Sequence, residues 1–183
     1  MNKTEYNKII EAISNLKGEK LRQITRGGAM AGFGFGKNPK AKVAHKTEGG
    51  KLEFRYAEAS KYAIHIDGFF RITHQGKIII SKDDMFRPNS QMNNGNYNDN
   101  DFEWDVEGNN KFDESKNFLC DTDLLVEDII INETGDLKIV LSNDFCIEVY
   151  IDTNEDEECW RFFEVGNSEK PHIVITGQGY CEQ

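Results

Sequence analysis

Apolar runs of strand length, recurring about every 8–12 residues between turn signals, constrain this chain more than any other feature. From residue 51 the apolar period is two. Leu52-Glu53-Phe54-Arg55-Tyr56 alternates, and 62–66 and 69–73 read as two strands broken at Asp67-Gly68. His74-Gln75-Gly76-Lys77 then turns the chain into Ile78-Ile79-Ile80. The last third repeats the pattern at 124–131, 137–141, 145–151, 160–165 and 172–176. Its turns fall at 133–136, 142–144 and 166–168, and its polar tail, 177–183, reads as loose. Connections this short join antiparallel neighbours.

The exception to the two-residue period is the start. Tyr6, Ile9, Ile10, Ile13 and Leu16 follow the spacing of one buried helical face, which predicts a helix over 3–17. Asn2 with Glu5 three residues later fits a capping box, and Gly18 fits a stop. The expected fold is therefore α+β: an N-terminal helix packed on a mostly antiparallel β-sheet or β-sandwich of roughly eight to ten strands. A length of 183 residues suits one domain, 1–183. Twelve Phe, six Tyr and two Trp supply a core despite 30% charged residues.

Glycines crowd the stretch 27–36, yet a phosphate loop is excluded. The residue five before Gly36 is Ala31, and Lys37 is followed by Asn38, so the Gly-x4-Gly-Lys-Ser/Thr spacing fails. Glycine alternating with Phe33 and Phe35 reads instead as a strand with one aromatic face and close approach on the other. Residues 87–118 change character to an acidic, Asn/Asp/Gly-rich excursion. It carries Phe102, Trp104, Val106, Phe112 and Phe118, which implies that part of it is anchored to the body.

Net charge is −10 and unevenly spread. Residues 1–82 hold 16 Lys/Arg against 7 Asp/Glu, and residues 83–158 hold 4 against 22. An acidic half steers basic partners and repels nucleic acid. Lys37, Lys40, Lys42 and Lys46 with Phe33 and Phe35 could track phosphates and stack bases, but no nucleic-acid module is recognisable, and none is expected as a partner. The apolar runs are too short to span a membrane, and the first residues lack an apolar leader core, so the expected setting is cytoplasmic. Cys120, Cys146, Cys159 and Cys181 lack metal spacing and are expected as free thiols, with Cys146 in the core.

Three groups of residues suggest chemistry. Counted from Glu103, carboxylates at Glu103, Asp105, Glu107 and Glu114, with Gly108 at the sixth position, outline a calcium loop. Its first residue is Glu rather than Asp, and its eighth is the polar Asn110, so a solvated acidic loop with aromatic anchors is the simpler reading. Glu155-Asp156-Glu157-Glu158 runs into Trp160, an acidic edge beside an aromatic that would suit a basic partner if that ring is exposed. Among His45, His65, His74 and His172, none pairs at metal spacing; His65 reads as structural. No nucleophile elbow is present, so no catalytic residue and no cofactor are assigned, and the protein is expected not to be an enzyme.

Three stretches, 30–36, 62–86 and 104–114, resemble a group of small uncharacterised bacterial proteins. The C-terminal part, 142–151 with 157–163 and 172–177, looks like the end of several bacterial immunity-like proteins. That resemblance implies a compact, mostly β domain and an ordered 104–114 motif. It implies no activity and no site residues. The expected function is a cytosolic protein-binding domain, an immunity-type inhibitor that meets a basic protein, such as a toxin, through an acidic surface. Asp99, Asp101, Glu103, Trp104, Asp105, Glu107, Glu155, Asp156, Glu157, Glu158 and Trp160 are the candidate contacts. The alternative is a calcium- or small-ligand-binding domain built on 103–114.

Overall fold

A computed structural model describes residues 1–47, 49–92 and 102–182. The N-terminal helix α1 spans Lys3–Ile13 and runs on into a 3-10 turn, Ser14–Leu16. Its capping box is formed: the Asn2 side chain accepts the Thr4 and Glu5 N–H groups at 3.0 Å, and the Glu5 carboxylate accepts the Asn2 N–H at 2.8 Å. Gly18 ends the segment at φ +81°, a conformation that costs glycine little. Ile9, Ile13 and Leu16 are fully buried in the core, as their spacing predicts; Ile10 is half-buried, and Tyr6, read on the same face, is exposed.

The described residues form thirteen strands, more than the eight to ten expected, and eleven of them make two antiparallel sheets. The six-stranded sheet joins β1 (Leu21–Gly27), β2 (Met30–Phe35), β5 (Tyr62–Ile66), β11 (Glu158–Glu164), β12 (Ile173–Thr176) and β13 (Gly179–Glu182) in that order. The five-stranded sheet runs β7 (Lys77–Ser81), β6 (Phe69–His74), β10 (Phe145–Tyr150), β9 (Leu137–Leu141), β8 (Val126–Ile131). Two of its hairpin turns have φ > 0 at both central residues, Gln75-Gly76 and Asn143-Asp144. That geometry matches the right-handed twist of paired strands, and these residue types tolerate it. The remaining two strands, β3 (Asn38–Lys46) and β4 (Leu52–Ala59), pair among the described residues only with each other.

The inward faces of the two sheets meet in one hydrophobic cluster. Phe33 of β2 packs edge-on against Phe70 of β6 at 5.7 Å between ring centroids, and Phe70 packs the same way on Phe112 at 6.0 Å. The architecture is α+β, with helices added to antiparallel sheets.

Four readings of the sequence need correction. Phe33 and Phe35 are buried, so they cannot stack bases; the side of β2 opposite them is glycine, closed over by Thr25 and Ser60. Cys146 is half-buried because it alternates with the inward Phe145, Ile147 and Val149, and Cys159 is the core thiol. The tail is not loose where it is described: Gly179–Glu182 pairs with β12. The excursion at 87–118 contains a second helix, α2, over Lys111–Asp121.

Candidate functional site

Helix α2 organises the segment before it. Asn110, fully buried, caps the helix by accepting the Asp113 N–H at 2.8 Å, and its amide donates to the Trp104 carbonyl at 2.9 Å. One side chain thus joins a helix start to the acidic stretch. Asp113 is buried as well. It accepts from Arg26 of β1 and from Lys116, each at 2.9 Å, and from the Gly108 N–H at 3.0 Å. Gly108 makes the turn at φ +87°. Arg26 also reaches the Asp105 carbonyl at 3.4 Å, and Asn109 donates to the Glu103 carbonyl at 3.2 Å. Asn89 straps the other side, its amide donating to the Gly108 carbonyl at 2.7 Å.

The electrostatics follow from this geometry. Burial alone would raise the Asp113 pKa, but hydrogen bonds from Arg26, Lys116 and Gly108 hold it below the ordinary aspartate value. Burial likewise works against the Lys116 cation, and Asp113 and Glu107 overcome it, raising its pKa. A carboxylate in the first turn of α2 also meets the positive end of the helix dipole. The net result is a rigid polar base beneath residues 103–110.

That base presents an aromatic pair with an acidic rim. The Trp104 ring lies 5.0 Å from the Phe86 ring, centroid to centroid, at 52°. Trp104 is half-buried; Phe86 and Val106 are each 42% exposed. Glu103, Asp105 and Glu107 are exposed around them. Glu107 is held by Lys116 at 3.0 Å, yet its side chain keeps 84% of its exposure. Asp99 and Asp101 lie outside the described residues. Phe86 is the partner that sequence reasoning missed: it ends a 3-10 turn, Lys82–Phe86, and only the strapping of 87–89 against 108–111 brings it to Trp104.

The four carboxylates of the calcium outline go to different places. Glu107 is drawn to Lys116, and Glu114 accepts from the Ser90 hydroxyl and N–H, which lowers its pKa. Glu103 and Asp105 face solvent. No group of three metal-ligating side chains converges among the described residues. The loop position expected to be apolar is Asn110, and the structure uses it as a helix cap.

The second acidic run splits in two. Glu155, Asp156 and Glu157 are exposed and form no ion pair among the described residues. They lie at the turn before β11, beside an open depression also lined by Asp67 and Asp152. Glu158 is half-buried and bound through both carboxylate oxygens to Arg161. Trp160 is not a surface anchor: it is fully buried, and its indole N–H donates to the Gly135 carbonyl at 2.9 Å. The cause is a bulge between Glu158 and Trp160, which turns Trp160 and Phe162 inward and Arg161 and Phe163 outward.

His65 lies on the outer face of the six-stranded sheet, edge-on to Phe163 at 4.8 Å, and Phe163 stacks on His172 at 4.6 Å. Burial first, and then the Arg161 charge, lowers the His65 pKa. The carboxylate of this group, Glu158, is taken by Arg161, so among the described residues His65 has no acid–base partner. Comparison with known proteins finds no matching family model, no matching curated protein and no matching solved structure. No described helix is long and apolar enough to cross a membrane.

Proposed function

We propose that this protein is a cytoplasmic protein-binding domain, an immunity-type inhibitor that docks on a basic partner through residues 103–107. One observation carries the reading. A half-buried tryptophan packed at a tilt against an exposed phenylalanine, rimmed by three exposed carboxylates, sits on a segment locked from below by a buried ion cluster. Aromatic anchors dominate binding energy at interfaces, and a rim of one charge sets which partner is attracted. Rigid support beneath the contact means little ordering is lost on binding. Glu155, Asp156 and Glu157 run toward a tryptophan, Trp160, that is buried, and their role is to steer the partner at long range. A toxin that acts on nucleic acid fits the partner's chemistry, since its active site is basic.

The test is capture of partners from a lysate of the native host by the tagged full chain, beside Trp104→Ala and Glu103→Lys/Asp105→Lys variants. The expected result is one stoichiometric basic protein, weakened by salt and absent from both variants, whose toxicity on expression is relieved by co-expressing the wild-type chain. A partner retained equally by both variants removes the 103–107 surface from the reading. A partner with no toxicity removes the inhibitor.

A further inference from the structure

The β3–β4 hairpin has one face that no described residue of the chain covers. Cross-strand pairing sets Lys42 opposite Tyr56, Ala44 opposite Phe54 and Lys46 opposite Leu52. Directly paired residues share a face, so these six form one surface. The opposite face turns to the body: Ala41 is buried, and Val43 lines a groove with Phe163 and Val165. On the free face Leu52, Phe54 and Tyr56 are 62%, 63% and 75% exposed, and the Lys42 ammonium sits 5.1 Å from the Phe54 ring centroid. An isolated two-stranded ribbon is marginal in water, and its exposed apolar residues would gain by burial.

We propose that this face docks on the Phe86–Trp104 patch of a second copy of the chain, so that two copies pair with their hairpins exchanged. The two surfaces are complementary on both counts. One offers apolar side chains with lysines; the other offers Phe86, Trp104 and Val106 with Glu103, Asp105 and Glu107. Among the described residues of one copy both surfaces remain exposed, so the contact proposed is between copies. An exchange about a two-fold axis satisfies both hairpins and both patches and closes the assembly, whereas a one-way contact would propagate into chains. A second copy is favoured over nucleic acid because its patch brings an aromatic pair and carboxylates together to meet both the apolar residues and the lysines of the hairpin, whereas Leu52 offers a base no stacking face. The proposal shares the 103–107 surface with the reading above and rests on it as a docking site. It adds regulation: the pair masks the surface, and a basic partner must displace the hairpin.

The purified full chain tests this without any partner, so its failure is separate from failure to capture one. Sedimentation velocity across the micromolar range is expected to show a monomer–dimer equilibrium that weakens with salt. Phe54→Glu/Tyr56→Glu is expected to be monomeric, with a thermal melt that matches wild type at concentrations where wild type is itself monomeric. Lys42→Glu/Lys46→Glu and Glu103→Lys/Asp105→Lys each self-associate at least about tenfold more weakly, because like charges then face each other. Mixed in equal amounts, those two variants are expected to recover a heterodimer, since both contacts again join opposite charges. The proposal is overturned by a wild-type chain that stays monomeric throughout, by dimers indifferent to all these variants, or by a mixture that recovers nothing. It is also overturned if wild-type chain binds a fluorescent single-stranded oligonucleotide and Phe54→Glu/Tyr56→Glu loses that binding, which would give the face to nucleic acid.

Discussion

Glu103–Glu107 and Glu155–Trp160 read alike as sequence, each a run of acids against a tryptophan, and the fold puts them to opposite uses. In the first, Trp104 stays at the surface because its own carbonyl is held by Asn110 and the next one, that of Asp105, by Arg26. In the second, Trp160 is pulled into the core by the bulge in β11. The lesson is that an aromatic among acids says little about exposure until the strand register is known. One residue added to or taken from a pleated strand exchanges its two faces.

The largest effect that separates the two runs is on stability. Trp160→Ala removes a fully buried indole and its hydrogen bond, and is expected to cost about 3–5 kcal/mol in urea unfolding. Trp104→Ala, losing a half-exposed ring contact, is expected to cost about 1 kcal/mol. Equal costs would erase the distinction. Next comes the support itself. Arg26→Ala removes one of the two cations paired with the buried Asp113 carboxylate, leaving Lys116, and is expected to cost about 3 kcal/mol. In a Trp160→Phe background the same change should raise acrylamide quenching of Trp104, whose seat depends on that arginine.

Acid sharpens the comparison further. The folded pKa of Asp113 is held below its ordinary value, so its ion pairs add stability above the unfolded pKa of about 3.9, and that stability is lost as pH falls through the folded value. Asp113→Asn should be less stable than wild type at neutral pH, with the gap narrowing as acid protonates Asp113 in the wild type. A gap constant with pH would show that the carboxylate is not what holds the segment. Smaller still are charge reversals at the surface. Glu103→Lys/Asp105→Lys and Glu155→Lys/Glu157→Lys should each change stability by no more than about 0.5 kcal/mol. On a captured basic partner the first pair should speed dissociation, and the second should slow association only. The least effect is expected from calcium: millimolar addition should leave the melting temperature unchanged, because Glu107 and Glu114 are already engaged by Lys116 and Ser90. A clear upward shift would restore the calcium outline.

Much of the framework was legible in the residues. The capping box at Asn2 and Glu5, the strand bounds Tyr62–Ile66 and Leu137–Leu141, and the turns at Gln75-Gly76 and Asn143-Asp144 follow from local chemistry. Helix α2 was hidden because its inward face is half ionic. Asp113 and Lys116 are buried beside Phe112 and Leu119, so no apolar stripe marks the helix, and Asn and Gly before it look like loop. In the hairpin, β4 was legible from the alternation Leu52–Tyr56, but its partner β3 was hidden for the opposite reason. Lysine alternating along β3 and exposed residues on both sides of β4 leave no buried face to announce a partner. Of the site, Trp104 and its carboxylates were readable as a motif. Phe86 and Arg26 were not, since their contacts close over long stretches of chain.

Helix α2 also lies along β1, an outer strand of the six-stranded sheet, with Arg26 and Asp113 as the fastening between them. Unshielded outer strands recruit other strands and are where β-proteins begin to aggregate. The ion pair that seats the acidic segment is therefore also a latch on the sheet's open margin. Cells carrying an Arg26 variant would meet its failure first as insoluble protein, before any loss of binding could be measured.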